Sequence, residues 1–344
     1  MNYLGKRPKI LIIKPSSLGD IVHSLALLSA LKDCYPEAEI HWVVASQFKG
    51  ILEENPLIKK LWLIDTGRWR ALSGALRAVS EVYKLSKGLK KEGFDIAIDL
   101  QGLLRSGIIS YLSGAGVRVG LKGFKEAREG SWLFHTDRVF VGKGFVHAVD
   151  RYLKVAEFLG CKVGEVRFPI GEGSPYPVPK RYAVLVPGAR WQSKRWPKRN
   201  FSELSRMLRD GLGLECLIVG TGSDIEMAQR ISDASGGASI SIAGKTSLKE
   251  LIYVLRGAEL VISTDSGPLH IADALGKRVF AIFGPTSPIR TGPYGKNSRV
   301  INSGLECSPC LKRKCKNPPP CMVAISPELL YNLIIDEIKK EGQS

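Results

Sequence analysis

Short apolar runs alternate with stretches of helical periodicity along the first half of the chain. The runs that predict strands cover residues 10–13, 40–44, 61–64, 95–99, 117–119 and 138–141. Between them, apolar residues recur at helical spacing around residues 21–31, 71–91, 103–112 and 145–159. Strands that alternate with helices in this way predict a mostly parallel sheet with helices on both faces.

The same alternation restarts after a segment rich in proline and glycine. That segment, RFPIGEGSPYPVPK at residues 167–180, suits neither a helix nor a strand and indicates a linker. Beyond it, strands are predicted at 182–186, 215–219, 239–243, 259–263 and 278–283, and helices near 201–212, 225–232, 248–256 and 269–275. The fold class is therefore α/β, with two Rossmann-like doubly wound domains at 1–166 and 181–325 that face a central cleft. A final helix at 326–344 is expected to pack back on the N-terminal domain.

The net charge of the chain limits the classes of molecule that the protein is expected to bind. The chain has 344 residues, with 50 Lys and Arg against 33 Asp and Glu, so its formal charge is +17. An excess of this size indicates an anionic partner: nucleic acid, a phosphorylated small molecule or the anionic face of a membrane. Because zinc-finger spacing, an RNP motif and a basic helix with interleaved aromatics are all missing, no specific nucleic-acid partner is expected.

The longest apolar runs are too short to cross a bilayer, which needs about 18 to 20 residues, and the run after Lys9 is too short for a signal peptide. We therefore expect a cytoplasmic protein.

The loop after the first predicted strand, KPSSLGD at residues 14–20, carries candidate chemistry. In open α/β sheets, ligands bind at the carboxyl ends of strands, where this loop lies. Asp20 has two interpretations: a cap that accepts backbone N–H bonds at the start of a helix, or a general base held by a rigid turn. Ser16 and Ser17 are equally open between turn formation and ligand binding.

Three loops of the second domain offer groups for an anion. After the strand at 182–186, Arg190, Lys194 and Arg195 supply cations, and Lys194 is the favoured phosphate contact. The second loop, VGTGSDIE at 219–226, lacks a complete G-x-G-x-x-G motif, so the dinucleotide fingerprint fails. There Ser223 and Glu226 predict a capping box, which leaves Asp224 as a ribose contact or a helix-dipole partner.

The third loop, STDSGPLH at 263–270, gives the strongest signal in the second domain. A strand ends here and a helix starts near Pro268, so backbone N–H groups form an anion site. Asp265 and Ser266 add polar groups, and His270 lies one turn further on, where it would point at a diphosphate. Residues 283–286 follow the next strand and are expected to complete the pocket.

Taken together, these loops resemble glycosyltransferase family 9, the lipopolysaccharide heptosyltransferases, over nearly the whole chain. The motifs that carry the resemblance are SSLGDIVHSLALLSAL at 16–31, FDIAIDLQGLLRS at 94–106, KRWP at 194–197, STDSGPLH at 263–270 and FGPTSP at 283–288. Within the family, GRWR at 67–70, AREG at 127–130 and HAVDRYL at 147–153 look more like type I than type II.

The resemblance implies a GT-B fold and an inverting transfer of L-glycero-D-manno-heptose from ADP-heptose to the Kdo of the lipid A inner core. It implies that Asp20 is the general base. The residues implied to bind the donor are Lys194, Asp224, Thr264, Asp265, Ser266, Gly267 and His270. Those implied to bind the acceptor are Ser17, Arg68, Arg70 and Arg128. No cofactor or catalytic metal is required, and the enzyme would work as a peripheral protein on the cytoplasmic face of the inner membrane.

Two alternatives stay open at this stage. The first is heptosyltransferase II or another sugar transferase of family 9. The second is a basic nucleotide- or nucleic-acid-binding protein, in which Asp20 would be only a helix cap and Lys194 only a surface charge.

The seven cysteines fall into two groups. Cys34, Cys161 and Cys216 are scattered and are expected to be small buried hydrophobic residues. Cys307, Cys310, Cys315 and Cys321 form C-x2-C-x4-C-x5-C in a loop rich in proline and lysine. In a cytosolic chain, clustered thiols favour a metal over disulfides. A structural zinc, reduced thiols and a redox-labile pair are the three interpretations of this cluster.

Overall fold

The computed structural model describes residues 5–65, 75–123, 129–144, 146–315 and 319–341. The chain forms two compact units, the N-terminal unit Met1–Gly171 and the C-terminal unit Glu172–Ser344. The division lies within the predicted linker, and residues 161–179 contain neither helix nor strand. Arg68, Arg70 and Arg128, implied to bind the acceptor, lie outside the described residues.

The N-terminal unit is a six-stranded parallel sheet with strand order β3-β2-β1-β4-β5-β6. Its strands are β1 Lys9–Ile13, β2 Glu39–Ala45, β3 Lys60–Ile64, β4 Ile96–Asp99, β5 Val117–Lys122 and β6 Asp137–Phe140. Its helices are α1 Leu18–Cys34, α2 Ala75–Glu92, α3 Leu104–Leu112 and α4 Ala148–Phe158. Residues Ile10 to Ile13 are fully buried, as predicted for a strand covered on both faces.

The C-terminal unit repeats this topology with strand order β12-β11-β10-β7-β8-β9, again all parallel. Its strands are β7 Tyr182–Val186, β8 Glu215–Ile218, β9 Ser239–Ser241, β10 Leu260–Thr264, β11 Val279–Phe283 and β12 Ser298–Asn302. Its helices are α5 Lys198–Leu212, α6 Ile225–Ala234, α7 Leu248–Gly257, α8 Gly267–Ala274, α9 Pro288–Thr291, α10 Pro320–Val323 and α11 Pro327–Glu341. The edge strand β12 was not predicted, because its side chains are mostly exposed and form no apolar run.

Each sheet has one position where the strand order reverses, and ligands bind at such switch points in open α/β sheets. In the N-terminal unit this position lies between β1 and β4, where Ile13 pairs with Asp99 at the carboxyl ends. In the C-terminal unit it lies between β7 and β10. The topology therefore places residues 14–20, 99–102, 187–197 and 265–270 at these two switch points.

The final helix contributes to the core of the C-terminal unit. Leu330 and Ile334, one turn apart on α11, are fully buried in the hydrophobic core of the C-terminal unit. The chain entering the helix is held by Trp196 Nε1 and Asn200 Nδ2, which both donate to the carbonyl of Ile325, at 2.8 and 3.2 Å. The apolar stripe of α11 therefore completes the core of the C-terminal unit beside α5. The expected packing of this helix on the N-terminal domain stays a prediction.

Two of the scattered cysteines correct an expectation. Cys34 and Cys161 form a disulfide with a Cα–Cα distance of 5.4 Å. The bond joins the end of α1 to the segment after α4, where the Tyr35 hydroxyl also donates to the carbonyl of Leu159 at 2.8 Å. A sequence separation of 127 residues hid this pairing. Cys216 is a free, buried thiol, as predicted.

None of the described helices has both the length and the apolar character needed to span a bilayer.

Candidate active site

Asp20 lies within the first turn of α1, not ahead of the helix as its sequence position suggested. The helix begins at Leu18 with Ser17 as its N-cap, so Asp20 is the third helical residue. Its Oδ2 accepts from the backbone N–H of Ser17 at 3.1 Å and from the Ser17 hydroxyl at 2.6 Å. Asp20 is half-buried and Ser17 is exposed. The carboxylate therefore caps the helix, and a carboxylate has a second oxygen and further lone pairs for other partners.

Asp99, at the end of the neighbouring strand β4, organises the rest of this switch point. It is fully buried, and its Oδ1 accepts from the backbone N–H groups of Gln101 and Gly102, at 2.9 and 3.1 Å. Its Oδ2 bonds the Ser106 hydroxyl at 2.9 Å and His135 Nε2 at 3.0 Å. The Gln101 side chain then accepts from the backbone N–H of Ser16 at 3.2 Å. This network fixes the loop that leads into α1, the helix that carries Asp20.

Lys14 brings a buried cation to the same place. Only 4% of the residue is exposed, its Nζ donates to the carbonyl of Leu100 at 3.1 Å, and Nζ lies 5.4 Å from the centre of the Tyr152 ring. Burial alone would lower the pKa of Lys14, but Tyr152, Asp20 and Asp99 outweigh it and raise the pKa. Lys14 therefore stays protonated, which places a buried positive charge near the Asp20 carboxylate.

In the C-terminal unit, three side chains from different segments meet around Asp265. Lys194 Nζ lies 2.7 Å from Asp265 Oδ2, and the Thr286 hydroxyl donates to the same oxygen at 2.6 Å. His270 Nε2 lies 3.8 Å from Asp265 Oδ1. Residues 194, 265, 270 and 286 were all singled out from the sequence, and the fold brings them to one point.

The Asp265 carboxylate is 7% exposed. Burial would raise its pKa, but His270 and Lys194 reverse this and hold the pKa well below its usual range. A buried carboxylate that is ionised and already paired is poorly suited to contact a diphosphate directly. Its geometry suits the orientation of Lys194 and His270, the two groups that can carry positive charge here.

The other predicted donor residues surround this cluster. Thr264 is fully buried, and its hydroxyl lies 3.4 Å from the carbonyls of Val186 and Gly188, which ties β10 to the loop after β7. Ser266 is the N-cap of α8, with its hydroxyl 3.2 Å from that of Ser263. Gly267 is the first helical residue, so the helix start at which the sequence predicts an anion site lies next to Asp265.

Asp224 forms the capping box that the sequence assigned to Glu226. Asp224 Oδ2 accepts from the backbone N–H and hydroxyl of Thr221, at 2.9 and 2.7 Å. Glu226 is exposed and pairs instead with Arg230. Asp224 also packs closely on Gly188, where a Cβ atom would lie 2.9 Å from Asp224 Oδ2. The carboxylate thus has a structural role at the switch point between β7 and β10.

Comparison with known proteins identifies the family to which the chain belongs. The model of glycosyltransferase family 9 (heptosyltransferase) matches residues 82–320. The lipopolysaccharide heptosyltransferase 1 of Pseudomonas aeruginosa is 30% identical over 320 residues, which cover 90% of this chain and 88% of that protein. The chain belongs to glycosyltransferase family 9.

Heptosyltransferases of both types, 1 and 2, are among the relatives. Lipopolysaccharide heptosyltransferase 2 of Escherichia coli K12 is 27% identical over 315 residues, covering 85% of this chain and 87% of that protein. Two solved structures of E. coli heptosyltransferase WaaC, one with ADP and one with ADP-2-deoxy-2-fluoro heptose, are both 25% identical, with TM-scores of 0.78 and 0.77. They cover 96% and 95% of this chain and 99% of their own. The predicted fold class, α/β of the GT-B type with two Rossmann-like units, is confirmed.

Sequence reasoning missed three contributors to this family 9 glycosyltransferase. The sequence places Lys14 in the loop after the first strand, with no sign that it is buried. It places Asp99 and Gln101 within the motif at 94–106, with no sign of their contacts. Arg195, proposed as an anion contact, donates instead to the carbonyl of Ala189 at 3.2 Å and holds its own loop.

One carboxylate–histidine cluster has the spacing of a metal site. Within the part of the chain that the structure describes, only Glu39, His41 and Glu92 place three ligand-type atoms within 4.8 Å of one another. Lys60 Nζ lies 2.8 Å from Glu92 Oε1, and Trp62 Nε1 donates to His41 Nδ1 at 3.2 Å, so His41 Nε2 carries the proton shared with Glu39 at 3.0 Å. The Lys60 ammonium at Glu92, the Trp62 N–H at His41 Nδ1 and the proton on His41 Nε2 already take up the ligand atoms that a metal would need.

The four clustered cysteines lie in the C-terminal unit. Cys321 is buried, Cys310 is half-buried, and Cys307 and Cys315 are exposed. Burial, and next the nearby Cys307, Cys310 and Cys315, raise the pKa of the Cys321 thiol. The three thiols are therefore close enough to Cys321 to affect its charge.

Proposed function

We propose that this glycosyltransferase transfers L-glycero-D-manno-heptose from ADP-heptose to the Kdo of the lipopolysaccharide inner core, with inversion at the anomeric carbon. The observation that carries the proposal is Asp20: a half-buried carboxylate, held by Ser17 at the switch point of the N-terminal sheet, with the buried cation Lys14 beside it. An inverting transfer needs one base of this kind and a separate site for the leaving nucleotide.

Asp20 acts as the general base in this proposal. It accepts the proton of the acceptor hydroxyl as the oxygen attacks the anomeric carbon, and ADP leaves from the opposite face of the sugar. Ser17 fixes the carboxylate in one orientation, while Gln101 fixes the backbone of the loop through Ser16. Ser17 also lies at the exposed edge of this site, which suits a contact with the acceptor.

The C-terminal unit binds the donor. Lys194 and His270 neutralise the diphosphate, together with backbone N–H groups at the start of α8, and Asp265 and Thr286 keep the Lys194 ammonium in place. The WaaC structures contain ADP and ADP-2-deoxy-2-fluoro heptose, which supports an ADP-sugar donor here. These cations supply the charge that a metal would otherwise provide, so we propose catalysis without a metal.

The acceptor is proposed to be Kdo-linked lipid A, as for a type I enzyme. The 30% identity to a heptosyltransferase 1 and the motifs at 67–70, 127–130 and 147–153 support this assignment. Arg68, Arg70 and Arg128 would meet the anionic acceptor. The formal charge of +17 supports work at an anionic surface, on the cytoplasmic face of the inner membrane.

Heptosyltransferase II is the second candidate, because a type 2 enzyme matches at 27% identity over a similar share of the chain. The two activities differ in their acceptor. A purified sample given ADP-heptose should glycosylate Kdo-lipid A itself if it is type I. If only Kdo-lipid A that already carries one heptose is glycosylated, the enzyme is type II.

The decisive test of the mechanism is Asp20→Asn. The amide still accepts the Ser17 hydrogen bonds but is not basic, so kcat should fall about 100-fold or more while ADP-heptose affinity stays near that of the wild type. Glu250→Gln is a matched control, since Glu250 closes an equivalent capping box with Ser247 at the start of α7, at 2.7 Å. Near-normal turnover of Asp20→Asn would reduce Asp20 to a helix cap.

A further inference from the structure

We propose that Arg313 is a further cation of the donor site, which contacts the diphosphate of the ADP-sugar beside Lys194, and that Trp191 is the positioning residue for both cations. The inference rests on the proposed function, because it takes the donor to bind around Asp265. It adds two residues that lie outside that cluster and that come from two different loops of the C-terminal unit.

The charges around Asp265 leave room for another cation. Asp265 is ionised and Lys194 Nζ lies 2.7 Å from its Oδ2, so the carboxylate offsets part of the positive charge that Lys194 and His270 can bring. The diphosphate leaves with several negative charges. Groups that already stand at the place where this charge develops stabilise it most effectively, so a further fixed cation would favour the transfer.

Trp191 and Lys194 are aligned by the local backbone. A single 3₁₀ turn covers Gln192–Lys194 with Trp191 as its N-cap, and the Lys194 N–H donates to the Trp191 carbonyl at 3.1 Å. Side chains three residues apart lie above one another in such a turn. Lys194 Nζ accordingly lies 4.7 Å from the centre of the Trp191 ring, within the distance of a cation–π contact. The ring therefore restrains the ammonium in addition to Asp265.

Arg313 reaches the same ring from the loop between β12 and α10. Its guanidinium carbon lies 5.3 Å from the centre of the Trp191 ring. Tryptophan is the side chain that attracts cations most strongly through its ring face. One half-buried ring thus holds two cations, Lys194 and Arg313, next to the donor site.

The position of Arg313 is set by the backbone of its loop. The carbonyl of the preceding Lys312 accepts from the Ser193 hydroxyl at 2.9 Å, and the Leu311 N–H donates to the carbonyl of Pro285 at 2.7 Å. Leu311 has a φ of 57°, in the left-handed region that is uncommon for leucine, so the chain turns sharply just before these residues. The loop is therefore tied to both of the loops that supply the partners of the donor-site carboxylate.

The guanidinium of Arg313 is suited to a phosphate. The residue is exposed, so an anion can reach it. Arginine presents five N–H donors in a planar fork that matches two oxygens of one phosphate group. A guanidinium whose face lies over an aromatic ring keeps these in-plane donors available. Trp191 therefore holds Arg313 without using the groups that would bind the diphosphate.

The test compares ADP and AMP by isothermal titration calorimetry with the full-length protein. Arg313→Gln should weaken ADP binding about tenfold, the lower end of the range for hydrogen bonds to charged groups, and AMP binding clearly less, because AMP lacks one phosphate. The preference for ADP over AMP should therefore fall several-fold, whereas a merely structural role would weaken both ligands equally. Lys314→Gln removes the same charge from the next exposed residue and should keep the wild-type preference.

Two substitutions of Trp191 test its positioning role. Trp191→Leu removes the aromatic face and should lower the preference for ADP over AMP as Arg313→Gln does. Trp191→Phe retains an aromatic face and should keep most of that preference. If both variants lose it equally, or if neither does, the ring does not position the two cations.

Three results would overturn the assignment of Arg313: wild-type ADP affinity in Arg313→Gln, equal losses for ADP and AMP in that variant, or an equal loss of the preference in Lys314→Gln. A wild-type protein that binds neither ADP nor AMP would instead overturn the proposed donor site, and this inference with it. Failure to glycosylate Kdo-lipid A would leave the outcome unchanged, because both titrations are made without an acceptor.

Discussion

Two aspartates in this protein make the same local hydrogen bonds, yet only one is suited to catalysis. Asp20 with Ser17, and Asp224 with Thr221, each use Oδ2 to accept a backbone N–H and a hydroxyl three residues earlier. Asp224 is 8% exposed and lies against Gly188, whereas Asp20 is half-buried and has Lys14 nearby. A carboxylate that caps a helix can therefore still act as a base. Asp20 and Asp224 differ in how accessible the carboxylate is to a substrate, and only Asp20 is accessible enough.

Lys194 and His270, the two groups at Asp265 that can carry positive charge, lead to a prediction about ADP affinity. Lys194→Ala and His270→Ala should each weaken ADP binding by about 1 to 3 kcal/mol, the range for hydrogen bonds to charged groups. Isothermal titration calorimetry with ADP measures the change. Lys339→Ala, an exposed lysine near the end of α11, is the control for loss of one positive charge and should bind ADP as the wild type does. Unchanged affinity in both test variants would rule out the proposed pocket.

The buried His41 leads to a prediction about how folding stability depends on pH. Burial lowers the pKa of His41 below its ordinary value of 6.5, although Glu39 and Glu92 act in the opposite direction. The unfolded chain therefore binds a proton at His41 more readily than the folded protein does. This contribution to stability is fully present above about pH 6.5 and is lost as the pH falls through the folded pKa.

Urea unfolding at pH 7.5 and pH 5 tests the His41 prediction. The wild type should lose stability over this range, and His41→Gln should lose less, because the titrating group is gone. His147→Gln, at the N-cap of α4, controls for the general effect of removing a histidine. Equal pH dependence in the wild type and in His41→Gln would contradict the assignment.

At the scale of elements, the two sheets follow the predicted strands closely. The sequence did not indicate the packing of helix α11 or the presence of the edge strand β12. Both depend on packing partners that are distant in sequence: the core beside α5 for α11, and strand β11 for β12. Local periodicity carries no information about such partners.

Adjacent leucines on α11 test its place in the C-terminal core. Leu330 is fully buried, whereas Leu329 is 46% exposed. Leu330→Ala should lower the free energy of unfolding by about 2 to 5 kcal/mol, the range for a buried leucine. Leu329→Ala should change it by no more than about 0.5 kcal/mol, as for a surface position. Denaturant unfolding measures both, and equal costs would contradict the packing described.

For the whole molecule, the excess of positive charge is the property that bears most directly on the acceptor. The formal charge is +17. Anionic liposomes should bind the protein, and binding should weaken as salt rises, because the Debye length shortens to about 8 Å at physiological ionic strength. Neutral liposomes are the control. Salt-independent binding would show that charge is not the cause.

The acceptor arginines give a further prediction at this scale. Arg68→Ala combined with Arg128→Ala should raise the acceptor KM and leave ADP affinity unchanged, since only the acceptor site loses positive charge. Steady-state kinetics with Kdo-lipid A, together with ADP titration, measure the two effects separately. Loss of ADP binding with an unchanged acceptor KM would mean that these arginines serve the donor.

Several site residues could be predicted from the sequence, although their contacts could not. The loops at 14–20, 186–197 and 263–270 stand directly after apolar strands, so their place at the carboxyl ends follows from pattern alone. Lys194, Asp265, His270 and Thr286 come from three such loops, and only the strand order β11-β10-β7 makes them neighbours. The pairing of Cys34 with Cys161 likewise depends on helices that meet far apart in sequence.

The sequence by itself determined the α/β class, the two-fold repeat of the Rossmann-like unit and the family motifs, because apolar periodicity and short motifs are local properties of a chain. Only the tertiary structure decided that Asp20 caps its helix while remaining half-exposed, that Asp265 orients Lys194, and that α11 completes the C-terminal core. These features depend on burial and on distances between segments far apart in sequence. Both are set when the sheets and helices pack together, and neither can be read from the order of residues alone.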